Sequence, residues 1–261
     1  MVNKVQITDN LSADIKTVLE PLGGISAFIK EGEKVFIKPN FNTSDPFPAS
    51  SDMNFIRTVI QLVLSQNPKE IILGDAPTIF GNSKKYFEEK NPRELEKEFK
   101  NVKVIFLKED TWERKKNTQA KYLKYASIPK ILSQVDKIIY LPCLKTHSWA
   151  QFTGALKLSV GILKPAERIR MHSGHLQEKI AELNLLVKPD LIIMDGRKCF
   201  IDHGPSEGSV KEPKIILAST NRVEIDIEAI KIIQTFPGNS LANLNPNEIP
   251  QIKYATGLGI L

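Results

Sequence analysis

At 261 residues the chain is long enough to bury a full core, as one large domain or as two lobes. Its 41% hydrophobic and 25% charged residues argue against disorder, and with no run of roughly eighteen apolar residues it offers no membrane span. The net charge of +6 sits largely in lysine-rich stretches such as Glu113–Lys116 and Lys121–Lys124, so by itself it selects no partner, and the two cysteines, Cys143 and Cys199, exclude both a disulfide framework and the four thiolates of an ordinary iron–sulfur cluster.

In chain order, Val2–Thr8 alternates as a first strand, and Asn10 or Ser12 can cap a helix running to Leu22, where Gly23-Gly24 breaks it. Lys34–Lys38 is a short strand stopped by Pro39, and Asn40–Ser51 is a polar loop. Asp52 caps a helix whose Phe55, Ile56, Val59, Ile60 and Val63 recur at helical spacing. Glu70–Leu73 is a strand ending in Gly74-Asp75-Ala76-Pro77, Ser83–Lys100 reads as one charged helix, and Val102–Leu107 as another strand. Residues 108–120 are polar and irregular and mark the only internal boundary the sequence suggests, while Tyr122–Ile128 reads as an edge strand.

Ile138–Leu141 is a buried strand that runs into Pro142, after which a loop presents Lys145, Thr146 and His147. A helical stretch carries Lys157, Lys164-Pro165 reads as a breaker, and Arg168, Arg170, His172 and His175 follow. From Leu141 to His175 there are five Lys or Arg against one acid, Glu167. A one-sided charge set laid on an apolar scaffold points to an anion site. Next come an amphipathic helix (His175–Lys188), a buried strand (Leu191–Met194) stopping at Asp195-Gly196, a loop (Arg197–Pro213), a last strand (Lys214–Ala218) and a helix capped by Asn221.

Strands alternate with helices almost throughout, which is the pattern of an α/β fold, a mostly parallel sheet flanked by helices. In such sheets ligands bind beyond the carboxyl ends of the strands. Lys38-Pro39-Asn40, Gly74–Pro77, Lys145-Thr146-His147, Asp195-Gly196 and Ser219-Thr220 all follow strands, so one site at that edge is expected.

The motifs IKPN (Ile37–Asn40), GDAP (Gly74–Pro77), LKTH (Leu144–His147), TGALK (Thr153–Lys157), KPDLIIMDG (Lys188–Gly196), HGPSEG (His203–Gly208) and ILAST (Ile216–Thr220) with a following Asp226 resemble, in order and spacing, the domain-of-unknown-function 362 family. The resemblance implies a cytoplasmic prokaryotic α/β protein whose biochemical role is largely unassigned. Some members add a ferredoxin-like iron–sulfur segment, whose cysteines this chain lacks. It also departs from the common family pattern in placing His203 before Gly204-Pro205, and Leu158–Gly161 after the lysine helix.

Read as chemistry, Lys38, Asn40, Lys145 and Lys157 are the anion-binding candidates, and His147, His172 and Asp195 the candidates for proton transfer or ligand orientation. His147, His172, His175, Asp195 and His203 are the conceivable metal ligands, although Gly174 disturbs the His172–His175 helix spacing. Asp75 follows a strand and is either a base or a turn former, Asp202 is a weaker candidate, and Asp226 on a helix is a structural partner for a site lysine. Cys143 beside Lys145 is either packing or an activated thiol, and Gly204–Gly208 is either a backbone anion nest or a plain loop.

The leading expectation is an enzyme or ligand-binding protein for a small phosphate- or carboxylate-bearing metabolite, with its cofactor unknown. A metal-dependent redox or hydrolytic protein is the second reading and a basic nucleic-acid binder the third. The aromatics Trp112, Trp149 and Phe152 form no stacking motif, which argues against nucleic acid. No apolar signal segment opens the chain, so a cytoplasmic location is expected, and a protein partner or homo-oligomer stays open.

Overall fold

The computed structural model describes residues 1–78 and 81–261. The first half of the chain forms β1 (Asn3–Gln6), α1 (Leu11–Leu19), β2 (Lys34–Lys38), α2 (Met53–Leu64), β3 (Glu70–Asp75), α3 (Ser83–Glu89), α4 (Glu94–Glu98), β4 (Val102–Phe106), β5 (Trp112–Lys116) and β6 (Tyr125–Pro129). The second half forms β7 (Lys137–Tyr140), β8 (Cys143–His147), β9 (Gln151–Thr153), α5 (Ala155–Leu158), α6 (Pro165–Met171), α7 (Leu176–Leu183), β10 (Leu191–Phe200), β11 (Val210–Lys211), β12 (Ile215–Ser219), α8 (Arg222–Gln234) and α9 (Pro250–Gly257).

The main sheet is ordered β1-β12-β10-β7-β2-β3-β4. The run from β10 to β4 is parallel, β12 lies antiparallel to β10, and β1 antiparallel to β12. Side-chain alternation divides the core between the two faces of this sheet. On one face Val35, Ile37, Ile71, Leu73 and Ile139 meet Ile15 and Val18 of α1 and Phe55, Val59 and Val63 of α2. On the other, Phe36, Ile72, Tyr140 and Ile192 meet Leu156, Ile180, Leu183, Ile225 and Ile230 from α5, α7 and α8. Each such fully buried side chain contributes about 1.5–3 kcal/mol relative to exposure. The helix caps follow the sequence signals: Asn10 caps α1, Asp52 caps α2 and Asn221 caps α8, each side chain accepting from backbone N–H groups.

Several expected boundaries differ. The single helix over 83–100 is two, α3 and α4, because Asn91 adopts a left-handed conformation (φ 50°) before Pro92, a residue that disfavours a helical predecessor. Residues 108–120 contain β5, which pairs with β6 in a separate two-stranded sheet. The Ala126 and Ile128 side chains of β6 join the same core as Phe36 and Tyr140. Lys145–His147 is part of strand β8, and β10 does not stop at Asp195-Gly196. It runs on to Phe200 and pairs first with β7, then with β8 beyond Pro142, so each extension supplies the other's partner. Pro165 opens α6 in place of breaking a helix, since its missing N–H costs nothing at a first-turn position.

Candidate functional site

The carboxyl ends of β2 and β3, the β8–β9 hairpin, α5 and α6 enclose a cavity of about 450 Å3. Of the sequence candidates, Lys38, Asn40, Lys145, His147, Lys157 and His172 all line it, and Asp75 and Arg168 join them. The i, i+2 spacing on β8 turns Lys145 and His147 to one side, while Thr146 on the other accepts from the Gly204 N–H at 3.3 Å. Arg168 and His172 stand one helical turn apart on and just after α6.

Lys38 is fully enclosed, its Nζ 2.7 Å from Asp75 Oδ1 and donating to the Pro39 carbonyl at 2.7 Å. The two Asp75 oxygens also accept from the backbone N–H groups of Phe41 (2.7 Å) and Ala76 (2.6 Å). Burial lowers the Lys38 pKa and Asp75 pulls it back. Gly161 presses on this pair: a Cβ there would lie 2.6 Å from Lys38 Nζ and 3.0 Å from Asp75 Oδ1. The Arg168 guanidinium is consumed by the carbonyls of Leu163, Ala76, Pro77 and Gly161, at 2.6–3.0 Å. It ties the loop after β3 to the segment between α5 and α6 and leaves a fixed positive charge in the wall.

Lys145 is buried and donates to the Ala49 carbonyl. Burial lowers its pKa to about 8. Lys157 is half-buried, and among the described residues its ammonium meets no hydrogen-bond acceptor and no carboxylate. Burial, then the charges of Lys145 and Arg168, bring it to about 7. Its short helix is anchored from α8 by Asp226, whose two oxygens accept from Ala155 N–H (2.7 Å) and Leu156 N–H (3.0 Å). Asp226 thus holds the backbone that carries Lys157 and does not pair with the lysine itself. Burial pushes its carboxyl up to about 7 against those bonds.

The two histidines use Nδ1 in opposite senses. His147 Nδ1 accepts from the backbone N–H groups of Trp149 (3.1 Å) and Ala150 (3.2 Å), so its Nε2 carries the proton. Burial, then Lys157, Lys145 and His172, lower its pKa to about 2 and keep it neutral. His172 Nδ1 lies 2.8 Å from the Arg168 carbonyl, an acceptor only, so it must donate, and Nε2 of the neutral ring is the lone pair. A neutral donor and an acceptor therefore belong to one cavity. The His172 ring also meets the exposed Trp149 indole edge-on, with centroids 5.1 Å apart.

The remaining candidates lie elsewhere. Asp195 does not line the cavity: Arg197 donates to Asp195 Oδ1 at 2.9 Å and Oδ2 at 2.7 Å, and also to Asp52 at 3.0 Å. Burial pushes the Asp195 carboxyl up against that pull. His175 stacks on Tyr122, with centroids 4.0 Å apart, and sits 3.6 Å from Glu178. His203 is 80% exposed beside Asp202, which itself accepts from Ser209 and closes a turn. The expected ligand set for a metal is thereby dispersed, and among the described residues no three His, Cys, Asp or Glu are grouped to hold an ion. The Cys143 thiol is raised to about 11 by burial, which opposes thiolate chemistry. Ser219 also leaves the expected set, because β12 is antiparallel and its carboxyl end lies at the opposite edge. Tyr86 lines the cavity without any sequence signal for it, whereas Thr153 and Ser206, which also line it, lie in the TGALK and HGPSEG motifs; Trp149 lines it too.

A parallel-centred α/β sheet with a cation-lined cavity at its carboxyl edge defines the class of this protein. The chain belongs to the family described as Domain of unknown function (DUF362), whose model matches residues 35–231. A thylakoid-associated protein of Synechocystis sp. is 25% identical over 260 residues, covering 96% of this chain and 76% of that protein. The lactate racemase apoprotein from Thermoanaerobacterium thermosaccharolyticum has a TM-score of 0.52 at 13% identity, over 86% of this chain and 56% of that one. A Thermotoga maritima protein has a TM-score of 0.50 at 12% identity, over 82% of this chain and 55% of that one. The chain spans about half the length of these two solved chains, and at such identity they establish the α/β fold alone. Among the described residues no helix is long and apolar enough to cross a membrane.

Proposed function

We propose that the protein is an enzyme or ligand-binding protein for a small anionic metabolite, phosphate- or carboxylate-bearing, held at the carboxyl edge of the sheet. One observation carries this reading: among the described residues four basic side chains line the cavity against a single lining carboxylate, Asp75, and that carboxylate is already engaged by Lys38. Lys157 thus faces the charges of Lys145 and Arg168 with no carboxylate beside it among the described residues, and an anion would provide the missing counter-charge. His147 Nε2–H would donate to the bound anion or to a polarised oxygen next to it, and His172 Nε2 would accept or relay a proton. Since an anion would raise both lysine pKa values, its binding above pH about 7 should take up protons.

The test is thermal unfolding with phosphate or oxalate, compared with chloride at equal ionic strength. A ligand at roughly a hundredfold excess over its Kd stabilises by about 2.7 kcal/mol, a Tm rise of about 5–10 °C for a chain this long. Lys145→Met with Lys157→Met should abolish the rise while the protein stays folded. An undiminished rise in the double variant removes the lysines from the site, and no rise in the unsubstituted protein with either anion counts against the reading.

A further inference from the structure

Lys157 stands apart from the other cations of the cavity. Lys38 is bound to Asp75, Lys145 to the Ala49 carbonyl and Arg168 to four carbonyls, whereas Lys157 meets no acceptor among the described residues. Its backbone is not loose. Asp226 grips the two residues before it, and a Cβ on Gly154 would fall 2.1 Å from Asp226 Oδ1, so the approach of α8 to the start of this helix is close. A primary amine is therefore held at the cavity wall beside a neutral N–H donor, His147, and the His172 ring, whose Nδ1 is turned to the Arg168 carbonyl and whose other nitrogen, Nε2, is the one left over. Solvation alone explains an exposed lysine; it does not explain one placed among cations with its counter-charge left out.

We propose that Lys157 is a nucleophilic lysine that forms an imine with a carbonyl-bearing anion, of which small 2-oxo acids are the class best matched to the cavity. This rests on the anion reading of the same cavity and narrows it. Lys145 would hold the carboxylate, and the adjacent carbonyl would lie toward Lys157. The amine lone pair forms a C–N bond to the carbonyl carbon while the C=O π pair moves to oxygen. The nitrogen, now cationic, gives up one proton and the oxygen takes one, which leaves a neutral carbinolamine with His147 Nε2–H donating a hydrogen bond to that oxygen. Loss of water follows: the oxygen takes a second proton and leaves with its bonding pair as the nitrogen lone pair closes the C=N bond. The balance is ammonium plus carbonyl giving protonated imine plus water, with no oxidant or reductant. His172 Nε2 is the acceptor available for the proton that the ammonium must release first. A pKa near 7 keeps a large share of the amine neutral at physiological pH, the condition such lysines require.

The experiment incubates the full chain with pyruvate or 2-oxoglutarate and sodium cyanoborohydride, then measures intact mass and maps the modified peptide. Oxalate, an anion without a reactive carbonyl, serves as competitor, and its effect on Tm is recorded in parallel. One reduced adduct per chain is expected, on Lys157, saturating with oxo acid, suppressed by oxalate and lost in Lys157→Arg. Lys157→Arg should retain part of the oxalate-induced rise in Tm, which shows that it folds and binds. No adduct with either oxo acid, or labelling scattered over surface lysines and indifferent to oxalate, overturns the imine while a persisting oxalate effect leaves the anion site standing. Absence of both adduct and oxalate effect overturns the two readings together.

Discussion

Lys38 and Lys157 line the same cavity and are held in opposite ways. Lys38 is completely enclosed, yet its charge is matched by Asp75, it also donates to the Pro39 carbonyl, and Asp75 is satisfied by two further N–H groups. Lys157 is less enclosed and has no partner among the described residues. Arg168, whose donors are all taken by carbonyls, and the Arg197–Asp195–Asp52 cluster, whose charges are matched, belong with Lys38. A closed buried charge network is structural, because its desolvation is compensated by interactions that leave no room for a ligand. An open one carries a standing cost that is relieved either by loss of the proton or by an outside group of opposite charge. The contrast separates the scaffold of the site from the groups on offer to a ligand, even though both are lysines at strand or helix ends.

The largest expected effect comes from breaking the closed pair. Lys38→Met leaves Asp75 charged, buried and short of its counter-ion, and should destabilise by about 3–5 kcal/mol, read as a lower denaturation midpoint with an unchanged m value. Adding Asp75→Asn should restore a large part of that loss, since no unpaired charge then remains. If the single variant is as stable as the parent protein, the distinction between closed and open charges fails. Gly161→Ala tests the same pair more gently. Its new methyl carbon would have to displace Lys38 Nζ from 2.6 Å, so a loss of about 1–3 kcal/mol is expected. At a glycine not pressed against anything, such as Gly257, the same methyl group should cost little.

Much of this architecture was legible in the sequence, for identifiable reasons. The α/β pattern, the three side-chain caps at Asn10, Asp52 and Asn221, and the gathering of Lys38, Lys145, His147 and Lys157 at one edge all follow from local periodicity and from the rule that parallel strands share a carboxyl edge. What local pattern does not carry is pairing. Whether Asp195 faces a cavity or Arg197 depends on β10 continuing beside β8, a long-range match invisible in the run Leu191–Gly196. The expectation for Ser219 fails because the connection from β10 to β12 contains no helix, and a helix-free return is the mark of an antiparallel neighbour. That signal was present in the sequence. The union of Lys38 with Asp75 was also within reach, as both close adjacent strands. The histidine tautomers were not, because they depend on which backbone groups fold back against Nδ1.

The smallest expected effect has the most telling sign. Removing a charged side chain from a wall usually weakens a protein, but Lys157→Met should leave stability at pH 7 unchanged or raise it by up to about 1 kcal/mol, because the replaced charge has no partner to lose. The pH profile sharpens this. Lys157 is lowered from 10.5 to about 7 in the folded protein, so the unfolded chain binds that proton more tightly. The cost is therefore full below pH about 7 and fades as pH rises toward 10.5, making the parent protein gain stability across that window. Lys145, lowered to about 8, adds a slope of the same sign over a narrower range. Lys157→Met should flatten the rise that begins near pH 7 and leave the later part due to Lys145, measured as denaturation free energy at intervals between pH 6 and 10. Lys38 is also lowered by burial, so Lys38→Met removes a slope of its own as well, but its main effect is to lower the whole curve through loss of the pair with Asp75. A Lys157→Met curve that drops at every pH, as Lys38→Met is expected to do, would mean that Lys157 too is a structural charge.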